Sequence, residues 1–151
     1  MSTAIHRCVD ACRAGKEPTV IARLDSGWAV LGQRQVLPGY CLLLPDPVVP
    51  HLNVLGAAER DRFLADLGRL GDAVLAATGA LRINYAIFGN LEPALHAHVI
   101  PRYRNEPQDK RTQHPWVYDW NKAPAFDSIA AAPLMRALRT ELAHLGTLRT
   151  P

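Results

Sequence analysis

The 151-residue sequence lacks several features that would place it in a broad class at once. No apolar run approaches the roughly 20 residues that a membrane helix requires, and residues 1–7 contain no apolar signal core. Blocks of five or more basic residues are also absent, so the chain has no basic tail of the kind that grips nucleic acid. These absences predict a cytoplasmic protein that binds neither membranes nor nucleic acids.

Cysteine is scarce, and the odd number of three argues against a disulfide framework. Cys8 and Cys12 lie four residues apart, so two thiolates on one zinc ion remain an alternative to reduced thiols. A structural zinc site needs four ligands, and only His96 and His98 among the six histidines are closely spaced. We therefore predict that the protein holds no metal, and no other cofactor is indicated.

The proportions of hydrophobic and charged residues are typical of a folded protein. Hydrophobic residues make up 48% of the sequence and charged residues 21%, which argues against a wholly disordered protein. The length suits a single domain, taken as residues 1–151. The net charge of +3 is mild and favours anionic small molecules only slightly.

Hydrophobic patterning predicts five strands and two helices. Short runs of bulky apolar residues, separated by turn residues, indicate strands, and an apolar stripe at intervals of three and four indicates a helix ending at Gly79. The predicted strands are 19–24, 28–31, 40–44, 81–88 and 95–103, and the predicted helices are 56–78 and 128–145. The fold class is therefore α+β, with a mostly antiparallel five-stranded sheet.

This organisation divides the predicted domain into three parts. Residues 12–103 form its core, and a last segment at 128–146 carries the C-terminal helix. Between them, residues 104–127 show little periodicity and contain three prolines, two tryptophans and a tyrosine. We predict an irregular segment there.

His96 and His98 carry most of the functional information. Successive side chains of a strand point to opposite faces, so both imidazoles project from one face while Leu95, Ala97 and Val99 point to the core. A neutral imidazole is a nucleophile and a proton carrier near pH 7. Chance exposure, metal ligation and burial in the core are the alternatives that spacing alone leaves open.

The residues around these histidines resemble the histidine triad family of nucleotide hydrolases and transferases. The resemblance rests on Asn84, Asn90 and the segment Pro93-Ala94-Leu95-His96-Ala97-His98-Val99-Ile100-Pro101-Arg102. It extends to Cys12–Pro18, which is similar to the family's N-terminal opening, and to Pro38–Pro45, which is similar to its Pro-Gly-His strand. The resemblance implies a five-stranded antiparallel sheet with two helices, assembled as a homodimer.

The resemblance also implies roles for individual residues. His96 matches the family's nucleophile, and His98 matches the histidine that binds phosphoryl oxygens near the scissile bond. Asn84 and Asn90 fall where the family places polar residues around the substrate, and Gln33 falls near a ribose-contacting position. Arg102 lies on the face of His98 by parity and is taken as a further substrate contact.

The sequence departs from the family pattern at three places. Ala94 replaces the first histidine of the triad, Tyr40 replaces the histidine after Pro-Gly, and residues 89–93 lack the family's Gly-Gln-Ser/Thr segment. Loss of the first histidine, together with the Cys8-x3-Cys12 spacing, predicts that the zinc site of zinc-carrying members is gone. The backbone carbonyl of Ala94 remains able to orient His96.

These observations lead to three hypotheses about function. The first is a hydrolase that cleaves dinucleoside polyphosphates or nucleoside phosphoramidates through a covalent nucleotidyl-histidine intermediate. The second is a nucleotide-binding regulatory protein with little turnover, which the Ala94 replacement keeps open. The third is a nucleotidyltransferase, in which a second nucleophile takes the place of water.

Overall fold

A computed structural model describes residues 1–146 and contains five β-strands and three α-helices over that range. In chain order the elements are α1 (Ala4–Arg13), β1 (Val20–Arg23), β2 (Gly27–Leu31), β3 (Cys41–Pro45), α2 (Ala57–Thr78), β4 (Arg82–Ile87), β5 (Ala97–Arg102) and α3 (Ser128–His144). The predicted α+β class is confirmed. The predicted domain end at residue 151 lies outside the described residues. Within those residues, no helix has both the length and the apolar character needed to cross a membrane.

The five strands form one sheet in the order β1-β2-β3-β5-β4, and every neighbouring pair is antiparallel. Strand β5 is therefore an interior strand, paired with β3 on one side and β4 on the other. In this register His98 lies between Leu42 of β3 and Ala86 of β4. The backbone that carries His98 is held from both sides, which fixes the position of its side chain.

Helix α1 corrects the predicted count of two helices. Thr3 caps its first turn, where the Thr3 hydroxyl accepts from the backbone N–H of His6. Ile5, Val9 and Cys12 form its buried stripe at intervals of four and three. That stripe is the signal for α1 in the sequence, but it is weak because only about three turns carry it.

The two faces of the sheet are covered differently. Helices α2 and α3 cover one face and enclose the main core, which includes Phe63, Leu43 and Val99. On the opposite face, α1 packs over the sheet at Trp28, Val30 and Leu44.

The irregular segment at residues 104–127 covers the other end of this second face. Two short 3₁₀ turns interrupt it, at Pro115–Val117 and Trp120–Lys122. Tyr118 and Trp120 pack on a small buried cluster that includes Tyr40 and Ile100. The face that carries the histidines is thus covered at one end by α1 and at the other by this segment.

Candidate active site

The ring of His96 is fixed by the residue that replaces the first histidine of the triad. His96 lies just before β5, and its Nδ1 is 2.7 Å from the backbone carbonyl oxygen of Ala94. A carbonyl can only accept, so Nδ1 carries the proton and donates it, which leaves the lone pair on Nε2. The residue is only 7% exposed. The contact therefore fixes the orientation of the His96 ring and leaves Nε2 as the nitrogen available for nucleophilic attack.

His98 is paired with Tyr40. The Tyr40 hydroxyl lies 2.7 Å from Nδ1 of His98, and the two rings are nearly parallel with centroids 5.9 Å apart. Burial, together with the charge of His96, lowers the pKa of His98 to about 4. His98 is consequently neutral at pH 7, and its Nε2 lies away from Tyr40.

The two imidazoles contact each other on the common face that the strand alternation predicted. Their ring centroids are 5.0 Å apart, and the rings meet edge to face at an interplanar angle of 74°. Leu95, Ala97 and Val99 enter the core on the opposite face, as expected. The predicted common face of the two histidines is confirmed, although His96 precedes the hydrogen-bonded strand.

Aromatic side chains for which the sequence predicted no role surround His98. Trp116 meets its ring edge to face at a centroid distance of 5.3 Å, and Phe88 lies at 6.2 Å. Trp120 stacks on Trp116 at 5.6 Å and contacts Tyr40 at 5.1 Å. The available signal was the concentration of tryptophans in a segment without periodic structure.

Two cavities adjoin the aromatic residues around His98, although neither His96 nor His98 lines them, and the polar residues predicted for the site divide between these cavities. Asn84 and Asn90 line a cavity of about 780 Å³, together with Phe88 and Trp116. Gln33 lines a separate cavity of about 320 Å³, together with Tyr40, Trp120, Val30 and Leu42. The fold therefore places Gln33 on one side of the histidines and the two asparagines on the other.

Arg102 lies on the predicted face, but its guanidinium donates its hydrogen bonds to other residues of the chain. Its Nε and Nη2 donate to the carboxylate of Glu106, and Nη1 donates to Oδ1 of Asn84 at 2.7 Å. The backbone carbonyls of Lys110 and Gln113 accept two further bonds. With five N–H groups in total, Arg102 has no donor left for a phosphoryl oxygen. Its position anchors the segment that follows β5.

The cysteines and histidines do not fit a zinc site. Among residues 1–146, no three His, Cys, Asp or Glu side chains are grouped in a way that would hold a metal ion. Cys8 and Cys12 face each other on α1, where a hydrogen bond from Cys12 lowers the pKa of Cys8. All three cysteines are free thiols.

Comparison with solved structures identifies the fold. A histidine triad protein from Bradyrhizobium japonicum superposes with a TM-score of 0.70 at 23% identity, over 81% of this chain and 88% of that one. A hypothetical histidine triad nucleotide-binding protein from Sulfolobus tokodaii gives 0.72 at 14% identity, over 92% and 93%. The chain has the histidine triad fold.

A third structure with the histidine triad fold, a Zn-bound histidine triad family protein from Mycobacterium smegmatis, gives a TM-score of 0.60 at 20% identity over 95% of this chain and 98% of that one. No family model and no curated protein matches the sequence. The structural matches confirm the fold that the sequence resemblance implied. At identities of 14–23% they leave the chemistry to the residues themselves.

Proposed function

We propose that this protein is a nucleotide hydrolase of the histidine triad type, with His96 as its nucleophile. The observation that carries the proposal is the 2.7 Å contact between Nδ1 of His96 and the carbonyl oxygen of Ala94. This contact makes Nε2 the free nitrogen, which is the atom needed for attack on phosphorus. The replacement of the first triad histidine by Ala94 preserves that contact because the acceptor belongs to the backbone.

The proposed reaction has two steps. The Nε2 lone pair of His96 attacks the α-phosphorus of a nucleoside 5′-phosphoryl substrate, an N–P bond forms, and the bond to the leaving group breaks. The leaving group keeps that electron pair and takes a proton from solvent. Water then attacks the phosphorus, the N–P bond breaks with its electron pair returning to Nε2, and a nucleoside monophosphate and a proton are released.

His98 supports this reaction as a hydrogen-bond donor. When the Tyr40 hydroxyl donates to Nδ1 of His98, the ring proton resides on Nε2, which can then donate to the substrate. A neutral donor placed beside the scissile bond stabilises charge that develops on the phosphoryl oxygens. The lowered pKa of His98 keeps it in this neutral form at pH 7.

The cavities on the two sides of the histidines support a substrate with two parts. We assign the nucleoside to the cavity lined by Gln33, because Tyr40, Trp120 and Leu42 offer apolar surface for a base there. The leaving group is assigned to the cavity lined by Asn84 and Asn90. Dinucleoside polyphosphates and nucleoside phosphoramidates have this two-part form.

A second copy of the chain is the proposed partner at β4. Within the described residues this strand pairs only with β5, so its other edge is unpaired. Tyr85, Ile87 and Phe88 on or next to this strand are 47%, 37% and 51% exposed. We expect a homodimer by sedimentation, and Ile87→Lys is expected to give monomers. A monomeric unsubstituted protein would refute this assembly.

We place the reaction in the cytoplasm. The three thiols Cys8, Cys12 and Cys41 are all free, and free thiols are typical of proteins in reducing compartments. Fractionation of cells that produce the chain, with a periplasmic and a membrane marker protein as references, tests the location. Recovery outside the soluble cytoplasmic fraction would contradict it.

The function is tested with diadenosine polyphosphates and adenosine phosphoramidate, following the release of AMP. His96→Ala is expected to lower kcat by about 10³-fold or more, whereas His51→Ala, which replaces an exposed histidine, should leave it unchanged. Rapid acid quenching and mass spectrometry should detect the nucleotidyl adduct on His96. Equal turnover by His96→Ala and the unsubstituted protein would refute the nucleophile, and AMP binding without any turnover would favour the regulatory hypothesis.

A further inference from the structure

A further concave surface lies near the end of β5. This cavity of about 640 Å³ is separate from the two that adjoin the aromatic residues around His98, although Asn84 and His114 line both it and the larger one. Its lining includes three exposed arginines, Arg82, Arg104 and Arg111. His96 and His98 contribute to the lining of none of these three cavities.

The charge around this cavity is strongly one-sided. Over residues 1–146, no hydrogen bond or ion pair engages the guanidinium groups of Arg82, Arg104 and Arg111. The one carboxylate in the lining, Glu106, is paired with the buried Arg102 at 2.9 Å and so does not neutralise them. Three unpaired cations around one depression repel one another, and an anion bound among them would remove that repulsion.

The wall of the cavity is held in place before any ligand binds. Arg82 is the first residue of β4 and lies opposite Arg102 in the β4–β5 register. The guanidinium of Arg102 is tied to the backbone carbonyls of Lys110 and Gln113, and the turn between these two residues, which contains Arg111, is closed by a hydrogen bond from the Gln113 N–H to the Lys110 carbonyl. The segment that carries Arg111 is thus fixed to the same end of the sheet as Arg82. Preorganisation of this kind reduces the entropy lost on binding.

We propose that this cavity is a second anion site, which binds a multiply charged phosphate compound between Arg82, Arg104 and Arg111. Guanidinium groups match phosphate oxygens with paired N–H donors, and three of them suit a chain of phosphates better than a single charge. The exposed side chains of Thr112 and His114 in the same lining supply further donors. The site does not depend on the chemistry proposed for His96.

The probe for this site is inorganic tripolyphosphate, titrated into the full-length protein by calorimetry at 0.15 M salt. Arg104→Gln combined with Arg111→Gln is expected to weaken binding at least tenfold. Arg62→Gln combined with Arg136→Gln is the matched control, because it removes two exposed arginines that lie outside the cavity. The control pair and His96→Ala should each bind within twofold of the unsubstituted protein.

Three outcomes would overturn the proposal: no binding to the unsubstituted protein, equal weakening in the control pair, or loss of binding in His96→Ala. Competition between tripolyphosphate and nucleotides shows whether the phosphates that bind this site belong to the substrate or to a separate compound. Displacement of tripolyphosphate by diadenosine tetraphosphate but not by AMP would show that the site holds the far end of a substrate chain. If neither nucleotide displaces it, the ligand is a separate phosphate compound, and either result supports the anion site.

Discussion

The phenolic oxygen of Tyr40 lies 2.7 Å from Nδ1 of His98, and the planes of the two rings differ by only 13°. The sequence resemblance expected a histidine at the position of Tyr40. A phenol differs from an imidazole because burial raises its pKa and keeps it protonated. Tyr40 therefore keeps its hydroxyl proton, and its contact with Nδ1 couples the orientation of that hydroxyl to the tautomer of His98.

Tyr40→Phe is expected to lower kcat for AMP release roughly tenfold, the size of one lost hydrogen bond to a catalytic group. The phenyl ring preserves the packing, so the protein should stay folded and AMP should still bind. Histidine ¹⁵N spectra should show a mixture of His98 tautomers in place of one. Tyr103→Phe, which removes a hydroxyl that donates to the Pro38 carbonyl and contacts neither histidine, serves as the control. An unchanged kcat with an unchanged tautomer would exclude this positioning role.

The stability of the protein should fall on acidification because of His98. Its pKa is about 4 in the folded protein and about 6.5 when unfolded, so the unfolded chain binds more protons between these values. The free energy of unfolding therefore decreases as the pH falls from 6.5 to 4. Urea unfolding across this range should give a shallower decline for His98→Gln than for the unsubstituted protein. If the free energy of unfolding changed with pH equally in the two proteins, the pH dependence could not be attributed to His98.

The ion pair of Arg102 and Glu106 is expected to be essential for the stability of the segment at residues 104–127. Their side chains are only 6% and 3% exposed, so Glu106→Gln leaves a buried cation without its partner. We expect a loss of about 3 kcal/mol in the free energy of unfolding, measured with urea. Asp10→Asn breaks the exposed pair with Arg13, where the side chains are 67% and 48% exposed, and should cost less than about 0.5 kcal/mol. Similar losses for both variants would show that burial of the first pair is unimportant.

Replacing either of two glycines with alanine should change the free energy of unfolding, in opposite directions at the two positions. At Gly27 of β2, a Cβ would lie 1.8 Å from the backbone oxygen of Leu44, so Gly27→Ala must displace β3 and is expected to cost about 2 kcal/mol. At Gly68 in α2, a Cβ would meet nothing within 4 Å, and Gly68→Ala should stabilise the helix by up to about 1 kcal/mol. Thermal unfolding of both variants measures the difference. A neutral Gly27→Ala would show that the two strands can separate at this point without cost.

The pattern of neighbouring residues in the sequence was sufficient to predict most of the helices and strands. Helix α2 begins after Gly56 and ends at Thr78, and the next residue, Gly79, has a φ of 66° and caps the helix as the sequence indicated. Asp127 caps α3 by accepting from the N–H groups of Ile129 and Ala130. These features depend on neighbouring residues, so the sequence alone contains the information for them.

The surroundings of the histidines depend on contacts between distant residues, and the sequence did not reveal them. Tyr40 is 58 positions from His98, and Trp116 approaches from a segment without periodicity. The alternation of side chains along the strand predicted the face on which Arg102 lies. Its partners, Glu106 and the Gln113 carbonyl, could not be predicted because they belong to an irregular loop. A pattern along one strand specifies which way a side chain points, not what it meets.

The stacked pair of Trp116 and Trp120 gives the protein a built-in optical probe. Two of the three tryptophans of the chain lie beside His98 or Tyr40, while the third, Trp28, is buried under α1. Indole emission responds to nearby polar and charged groups, so any compound that reaches the histidines changes the environment of most of the emitting rings. Ligand entry can therefore be timed in the unlabelled protein by stopped-flow fluorescence, before any bond is broken.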